Sequence, residues 1–175
     1  MKIVMIGTGY VGLVSGVCFA EIGHEVVCVD KDPSKVESIN LGKPPIHEEG
    51  LGELLFKNIA NGRLSATTNL VEALNGADVS MITVGTPFDG KEIDLFYVKI
   101  AASEIGEVIR DISNYHVVCV KSTVVPGTTD NVVGSIVAEA SGLKLGLDWG
   151  LVMNPEFLAE GTAVKDFMNP DRIVI

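Results

Sequence analysis

Two carboxylates near the end of the chain are the first candidates for chemistry. Glu156 and Glu160 stand in NPEFLAEGTA, an otherwise small and apolar stretch that follows a predicted strand. A carboxylate just beyond a strand can act as a general base or orient a water molecule. The four-residue spacing also fits a solvated pair on a short helix, and from these residues alone that simpler interpretation is favoured.

A glycine pattern near the amino terminus predicts a dinucleotide site. GTGYVG places Gly7, Gly9 and Gly12 in the spacing G-x-G-x-x-G, after an apolar run and at the start of a helical pattern. The next predicted strand ends in Asp30, eighteen residues after Gly12. Strand, glycines, helix and acid together form a dinucleotide-binding fingerprint. The weaker alternative is that the glycines only shape a strand–helix turn.

Each glycine of the pattern has a physical role. Gly7 permits a tight turn, Gly9 lets the backbone approach a pyrophosphate, and Gly12 lets the helix pack closely. The helix start around Tyr10 and Val11 offers backbone N–H donors and a partial positive charge.

The acid after the second strand indicates which dinucleotide is bound. Asp30 is placed to accept hydrogen bonds from ribose hydroxyls, and its charge would repel a 2′-phosphate. NAD is therefore favoured over NADP, although Lys31 and Lys35 are nearby cations that weaken this preference.

Composition limits the class of protein. Hydrophobic residues make up 47% of the chain and charged residues 21%, as in globular proteins. The net charge of −10 disfavours nucleic acid as a partner. No run of about 18 apolar residues occurs, and no secretory signal stands out. We therefore expect a soluble, cytoplasmic protein without membrane contact.

The cysteines and histidines predict neither disulfides nor metal. Cys18, Cys28 and Cys119 lie within predicted helices or strands, which is typical of buried thiols in a reduced compartment. There is no CxxC motif and no His/Cys cluster, so no metal site is expected.

The elements that must position these residues alternate along the chain. Short apolar runs alternating with helical periods predict a Rossmann-type, doubly wound α/β fold, with a mostly parallel sheet and helices on both faces. The predicted strands are 2–6, 25–30, 64–68, 78–84, 116–122 and 149–154, and the closing RIVI reads as the start of another. The predicted helices are 10–23, 32–40, 51–62, 69–76, 95–112 and 128–141. Three loops at predicted strand ends, VGTP, KSTVVPGTT and NPEFLAEGTA, are expected to border a cofactor cleft.

These segments carry a family resemblance over 1–175. IGTGYVGL, VGTP, KSTVVPGTT and NPEFLAEGTAVKDFMNPDRIVI resemble, in order, the motifs of the UDP-glucose/GDP-mannose dehydrogenase family. GKPPIHEEGLGELL resembles the segment that follows the second βα unit in that family. The tail motifs EFLAEGTAVKD and NPDR are most similar to those of UDP-glucose 6-dehydrogenases.

The resemblance implies an activity and a cofactor. Members of the family oxidise the sugar C6 alcohol to an acid in two NAD-dependent steps, through a cysteine-bound thiohemiacetal and thioester. For this chain it implies four-electron oxidation of UDP-glucose to UDP-glucuronate, a polysaccharide precursor.

The resemblance also implies roles for particular residues. The positions that match NAD-contacting residues, besides the glycines and Tyr10, are Val11, Asp30, Lys35, Thr86, Thr123 and Glu160. The positions that match the sugar-lining segment are Glu156, Phe157, Leu158, Ala159 and Glu160. Glu156 matches a proposed acid/base residue, and Thr123 matches a threonine that positions water or the reacting oxygen. Phe96 departs from the family, which usually has a small residue at this position. The family pattern therefore does not predict how the protein packs around Phe96.

The resemblance also implies catalytic residues and domains that residues 1–175 do not contain. The nucleophilic cysteine, with its lysine and asparagine helpers, matches no residue here and is expected beyond Ile175, as are a dimerising helix and a nucleotide-sugar domain. We therefore expect an NAD-binding domain, residues 1–175, of a longer enzyme that is a homodimer or larger, with this chain inactive alone.

Two alternatives stay open at this point. One is GDP-mannose or a UDP-N-acetylhexosamine as the substrate of the same kind of enzyme. The other is a non-catalytic NAD-binding or redox-sensing module.

Overall fold

One six-stranded parallel sheet organises the chain, in the strand order β3-β2-β1-β4-β5-β6. The computed structural model describes residues 1–175. The strands are β1 Lys2–Ile6, β2 Glu25–Val29, β3 Leu64–Thr67, β4 Val79–Ile82, β5 His116–Val120 and β6 Trp149–Met153. All pairs are parallel, which confirms the predicted doubly wound sheet.

Helices cover both faces of the sheet. They are α1 Tyr10–Glu21, α2 Pro33–Asn40, α3 Leu51–Ala60, α4 Leu70–Leu74, α5 Phe96–Ile109, α6 Ser135–Ser141 and α7 Ala163–Met168. A π-helical turn, Thr129–Gly134, leads directly into α6. None of the helices is long and apolar enough to cross a membrane.

Two hydrophobic clusters hold these layers together. Ile3 and Met5 of β1 pack in the cluster that also contains residues of α1 and α3. Val4 and Ile6 of the same strand point the other way and pack with residues of α4, α5 and α6. Successive side chains of a strand alternate between faces, so a strand that is apolar throughout must be covered on both sides.

Side-chain caps set the start of two helices. The Asp32 carboxylate accepts a hydrogen bond from Ser34 N at 2.9 Å and caps α2. The Asn69 side chain accepts one from Glu72 N at 3.2 Å and caps α4. These caps satisfy backbone donors that the first helical turn leaves without partners.

Two features of the carboxyl-terminal third differ from the sequence-based expectation. RIVI, residues 172–175, is not a strand: it pairs with no neighbour in the sheet, and Ile173 is 72% exposed. A strand exists only where its backbone groups find a ladder partner, and the Val174 carbonyl oxygen instead accepts a hydrogen bond from the Asn154 side chain at 2.8 Å. The predicted helix 128–141 is divided into the π-helical turn and α6, and Gly134 at the junction lies against Leu151 of β6.

The strand order creates a crevice at the carboxyl ends of the strands. From β1 the chain builds outward to β3, then crosses back to β4 on the other side of β1. The turns that follow β1 and β4 therefore diverge at the edge of the sheet that holds the carboxyl ends, here called the carboxyl edge. Ligands bind at this point in open α/β sheets.

Candidate functional site

The turn after β1 is built by glycines whose side-chain positions are occupied. Gly7 has a φ of 100°, in the left-handed region, and a Cβ there would lie 3.0 Å from the carbonyl oxygen of Thr83. A Cβ at Gly12 would lie 1.9 Å from the carbonyl oxygen of Gly7. Both positions therefore require glycine for the fold itself, because the start of α1 packs directly on the turn.

Gly9 differs from these two glycines. Its φ of −68° is ordinary, and a Cβ there would meet nothing within 4 Å. The packing of the protein therefore places no demand on this position. No side chain caps the start of α1, whose first N–H groups lack partners within the helix. Open space before a helix start of this kind fits a pyrophosphate group.

Asp30 is held by a neighbour that the glycine pattern leaves unspecified. Its Oδ2 accepts hydrogen bonds from the backbone N of Thr8 at 2.9 Å and from Thr8 Oγ1 at 2.5 Å. Its Oδ1 accepts one from Asp32 N at 3.0 Å, and Lys35 Nζ lies 3.8 Å from Oδ2. Burial acts to raise the pKa of Asp30, but these hydrogen bonds outweigh it and hold the pKa below its usual value. The side chain is therefore a fixed, ionised acceptor at neutral pH.

Thr8 is a site residue that the sequence did not reveal. It occupies a variable position of G-x-G-x-x-G, so the spacing of the glycines carries no information about it. Only the meeting of the β1 and β2 ends shows that its hydroxyl orients the acid.

A cavity of about 980 Å³ opens in front of these groups. It lies at the carboxyl ends of β1 to β4, and its lining includes Gly7, Gly9, Asp30, Lys35, Phe96 and Tyr97. We call it the fingerprint cavity. The Lys31 ammonium lies 4.5 Å from the centre of the Tyr97 ring, and the Phe96 ring meets that ring edge-on.

Phe96, the departure from the family pattern, does not disturb the core. The residue is 58% exposed and lines the fingerprint cavity at the start of α5. Its larger ring therefore occupies the cavity wall and not the packed interior.

The loops after β4 and β5 are joined to one another. Thr86 Oγ1 donates a hydrogen bond to the Thr123 carbonyl oxygen at 2.8 Å, and Ser122 Oγ donates to the Val84 carbonyl oxygen at 2.7 Å. The Thr123 hydroxyl makes no hydrogen bond within the protein and the residue is exposed. In the strand order, these two loops lie between the β1 turn and the segment that follows β6.

A second cavity of about 740 Å³ begins at the carboxyl ends of β5 and β6, and its lining includes Lys121 and residues 154–158. We call it the carboxylate cavity. Lys121 is buried and donates from Nζ to Asn154 Oδ1 at 3.1 Å. Burial lowers the pKa of Lys121, while the charge of Glu156 acts in the opposite direction. The Arg172 guanidinium stacks on Phe157 at 5.0 Å from the ring centre.

Glu156 and Glu160 are not a helical pair. Residues 154–159 form no regular structure, and α7 begins only at Ala163. Glu156 is half-buried and its Oε2 accepts a hydrogen bond from Leu158 N at 2.6 Å, which closes a local turn. The interpretation as a solvated pair on a short helix is therefore wrong, because Pro155 and this turn set a different backbone path.

The predicted site residues fall into three groups: those that line the fingerprint cavity, those that line the carboxylate cavity, and those that line neither. Gly7, Gly9, Asp30 and Lys35 line the fingerprint cavity, whereas Glu156, Phe157 and Leu158 line the carboxylate cavity. Tyr10, Val11, Gly12, Thr86, Thr123, Ala159 and Glu160 line neither cavity. The Tyr10 hydroxyl contacts Glu48, a buried acid on the loop before α3 that the sequence did not single out.

No cysteine of the chain is a candidate nucleophile. All three thiols are buried, and burial raises the pKa of Cys18 and Cys28 to about 12 and that of Cys119 to about 11. The thiolate is the reactive form, so these side chains stay inert at neutral pH. The chain also contains no cluster of His, Cys, Asp or Glu that could hold a metal ion.

Comparison with known proteins identifies the family of this chain. Residues 1–175 match the model described as "UDP-glucose/GDP-mannose dehydrogenase family, NAD binding domain". The chain belongs to the UDP-glucose/GDP-mannose dehydrogenase family. NAD is therefore the cofactor of this domain.

Individual members of the family are similar over the whole chain. The UDP-glucose 6-dehydrogenase of Rhizobium meliloti is 51% identical over 178 residues, covering 100% of this chain and 39% of that protein. The GDP-mannose 6-dehydrogenase of Pseudomonas putida is 48% identical over 176 residues, with coverages of 100% and 40%.

A solved structure of the family shows the same fold. The crystal structure of a ternary complex of GDP-mannose dehydrogenase from Pseudomonas aeruginosa matches with a TM-score of 0.96 and 46% identity. The match covers 99% of this chain and 40% of that one. The chain thus spans about 40% of the length of the family members it matches.

Proposed function

We propose that this chain supplies the NAD site and part of the sugar site of a nucleotide-sugar 6-dehydrogenase that oxidises UDP-glucose to UDP-glucuronate. The observation that carries the proposal is that residues at the carboxyl ends of one parallel sheet contribute to both cavities. The fingerprint cavity lies at the ends of β1 to β4, and the carboxylate cavity begins at β5 and β6. In the strand order, the loops after β4 and β5 lie between them and are joined by two hydrogen bonds.

The residues of the fingerprint cavity bind and orient the cofactor. When bound, NAD supplies the acceptor for the hydride that leaves C6 of the sugar. The start of α1 and the space before Gly9 receive the pyrophosphate. Asp30, fixed by Thr8, accepts hydrogen bonds from the adenosine ribose hydroxyls, and its negative charge selects against a 2′-phosphate.

Glu156 is suited to the proton transfer that alcohol oxidation requires. Hydride leaves C6 only as the hydroxyl proton is removed, so a base must lie within hydrogen-bond reach. One Glu156 oxygen is held by Leu158 N, and the other makes no hydrogen bond within the protein. That second oxygen is free to accept the proton or to orient a water molecule.

Conversion of the aldehyde to an acid needs two more groups. A covalent intermediate requires a nucleophile, and its hydrolysis requires a positioned water. The three buried thiols of this chain do not meet the first need. The exposed Thr123 hydroxyl, beside the Thr86 loop, is suited to the second.

GDP-mannose is the second candidate substrate. The GDP-mannose dehydrogenase of Pseudomonas aeruginosa is similar to this chain with a TM-score of 0.96, and several Pseudomonas GDP-mannose 6-dehydrogenases are 47–48% identical. The tail motif EFLAEGTAVKD favours UDP-glucose instead, because it resembles the motif of UDP-glucose 6-dehydrogenases.

A direct assay separates these candidates. The protein expressed from its complete coding sequence is given NAD with UDP-glucose, GDP-mannose or a UDP-N-acetylhexosamine, and NADH formation is followed. We expect the highest kcat/KM with UDP-glucose and two NADH per sugar oxidised. A preference for GDP-mannose would show that GDP-mannose, and not UDP-glucose, is the substrate. NADH binding without turnover of any sugar would favour a non-catalytic module.

A further inference from the structure

Glu48 is a buried acid that neither cavity uses. It lies on the loop between α2 and α3 and is only 6% exposed, whereas its neighbour Glu49 is exposed. Burying a carboxylate away from water is costly unless its oxygens are hydrogen-bonded. The fold must therefore supply partners for this side chain.

The partners come from two distant parts of the chain. Glu48 Oε2 accepts hydrogen bonds from Gly161 N at 2.8 Å and from the Tyr10 hydroxyl, and Oε1 accepts one from Ala163 N at 2.9 Å. The hydrogen bond from Tyr10 is the largest cause that holds the pKa of Glu48 below its usual value. Burial, helped by Glu48, raises the pKa of Tyr10 to about 12. At neutral pH a carboxylate thus faces three donors.

These contacts join the two halves of the proposed site. Tyr10 is the first residue of α1, next to Gly9, where the pyrophosphate is expected. Gly161 directly follows Glu160, and Ala163 begins α7. One carboxylate therefore spans from the cofactor turn to the end of the segment that carries Glu156 and Glu160.

The beginning of that segment is held separately. Asn154 N donates to the Val120 carbonyl oxygen at 3.0 Å, and Asn154 Oδ1 accepts from Lys121. Between Asn154 and Gly161 the side-chain hydrogen bonds are short-range: Leu158 N donates to Glu156, and Ala159 N donates to Asp166. Besides the packing of Leu158 and of Ala163, the first residue of α7, on the core, the contacts of Glu48 hold the far end of the segment.

We propose that Glu48 is a positioning residue that holds the segment Glu156–Glu160 in a fixed place relative to the cofactor turn. This inference rests on the proposed function, because the segment Glu156–Glu160 has a catalytic role only if the protein oxidises a nucleotide sugar. Glu48 lines neither the fingerprint cavity nor the carboxylate cavity. Its role is to keep the distance between a base and the reacting carbon within the narrow range that turnover requires, since a displacement of about 1 Å can lower a rate 100-fold.

The decisive variant is Glu48→Gln, with Glu49→Gln as its matched control. Glutamine has nearly the same size, but its NH₂ group cannot accept from a backbone N–H, so one of the two sides of the contact is lost. In the protein expressed from its complete coding sequence, we expect kcat to fall about 10- to 100-fold in Glu48→Gln. The KM for NAD should stay near that of wild type, because the groups lining the fingerprint cavity are intact, and Glu49→Gln should match wild type in both constants.

A second variant tests the link to the cofactor turn. Tyr10→Phe removes the phenol donor alone, so we expect a smaller fall in kcat than for Glu48→Gln. The double variant should lose less than the product of the two single effects, because both act through one contact. Fully independent effects would overturn the link.

Amide hydrogen exchange checks the contact without relying on activity. In residues 1–175, exchange at Gly161 and Ala163 should be faster in Glu48→Gln than in wild type and unchanged in Glu49→Gln. Unchanged exchange in Glu48→Gln would overturn the contact. Faster exchange with an unchanged kcat would overturn the positioning role and leave a purely structural one. A wild-type enzyme that oxidises no nucleotide sugar would overturn the proposed function and the positioning role together, whereas the exchange result would still stand for the contact.

Discussion

Thr8 and Asp30 meet at the ends of neighbouring strands, where the Thr8 hydroxyl donates to Asp30 Oδ2 at 2.5 Å and its backbone N donates to the same oxygen at 2.9 Å. The residue that follows the first glycine of the turn thus orients the acid at the end of β2. The acid is fixed before NAD arrives, so its ordering adds little cost to binding.

Removal of the Asp30 carboxylate should weaken NAD(H) binding. Hydrogen bonds to a charged group contribute about 1.5–3 kcal/mol, so Asp30→Ala should raise the Kd for NADH about 10- to 100-fold. Calorimetric titration of residues 1–175 measures this. Asp111→Ala, which removes an exposed acid from the turn after α5, is the control, and equal Kd values for both variants would take Asp30 out of the site.

Loss of the Thr8 hydroxyl should have a smaller effect than loss of Asp30. Thr8→Val keeps the backbone contact and the carboxylate but removes one hydrogen bond, which costs about 1 kcal/mol of stability. The Kd for NADH should rise by less than in Asp30→Ala. Urea unfolding and NADH titration of the same samples separate the two effects, and an unchanged Kd would show that Thr8 serves stability alone.

Two glycines of the fingerprint should respond in opposite ways to alanine. A Cβ at Gly12 would lie 1.9 Å from the Gly7 carbonyl oxygen, so Gly12→Ala should cost about 3 kcal/mol or more of folding stability. A Cβ at Gly9 meets nothing within 4 Å, so Gly9→Ala should change stability by less than about 1 kcal/mol. Gly9→Ala should nevertheless weaken NADH binding, because its methyl group would occupy the space that we propose for the pyrophosphate.

Thermal unfolding without and with NADH measures both glycine variants. We expect a low Tm for Gly12→Ala in either condition. For Gly9→Ala we expect a Tm near that of wild type that NADH no longer raises. A normal Tm increase with NADH in Gly9→Ala would contradict the assignment of the pyrophosphate to this turn.

Acid should remove the stability that Glu48 contributes. Its pKa is lowered in the folded protein by the Tyr10 hydroxyl and the Gly161 and Ala163 amides, and a glutamate in an unfolded chain has a pKa of about 4.3. The contribution is therefore complete above that value and is lost as the pH falls through the lower pKa of the folded state. Tyr10 stays protonated throughout this range, and Glu160 is the other acid near its hydroxyl.

Urea unfolding at several pH values detects this loss. The difference in unfolding free energy between wild type and Glu48→Gln should be largest at neutral pH and should shrink steadily below about pH 5. A difference that does not depend on pH would show that the charge of Glu48 is not what its partners stabilise.

Residues 1–175 alone should bind NADH but not oxidise UDP-glucose. The only thiols are buried, with pKa values raised to between about 11 and about 12, so no thiolate is available as a nucleophile at neutral pH. Incubation with NAD and UDP-glucose should yield no sustained NADH formation. Steady turnover by the pure chain would contradict the requirement for another nucleophile.

Much of the fold follows from local patterns in the sequence. Apolar runs such as KIVMI and EVVCV are buried on both faces of a parallel sheet, and the caps at Asp32 and Asn69 lie where the residue types predict them. The fingerprint is local as well, because its three glycines build one turn. Such features depend on residues within a few positions of each other, so the sequence displays them directly.

Other features are set by contacts between distant residues. The turn at Glu156, the π-helical start of α6 and the unpaired RIVI segment each depend on what neighbouring elements offer, and the sequence-based expectations were wrong there. A strand needs a ladder partner, and its own residues do not show whether the folded chain provides one. The helix α7 was not among the predicted helices, because its six residues show too little periodicity to be recognised.

The sequence by itself thus determined an α/β chain and the glycine turn after β1, since apolar periodicity and glycine spacing act over short distances. Only the tertiary structure decided that Thr8 orients Asp30 and that Glu48 contacts Gly161, 113 residues away. A buried carboxylate must find donors wherever the folded chain presents them. The identity of those donors depends on which loops the strand order brings together at the carboxyl edge.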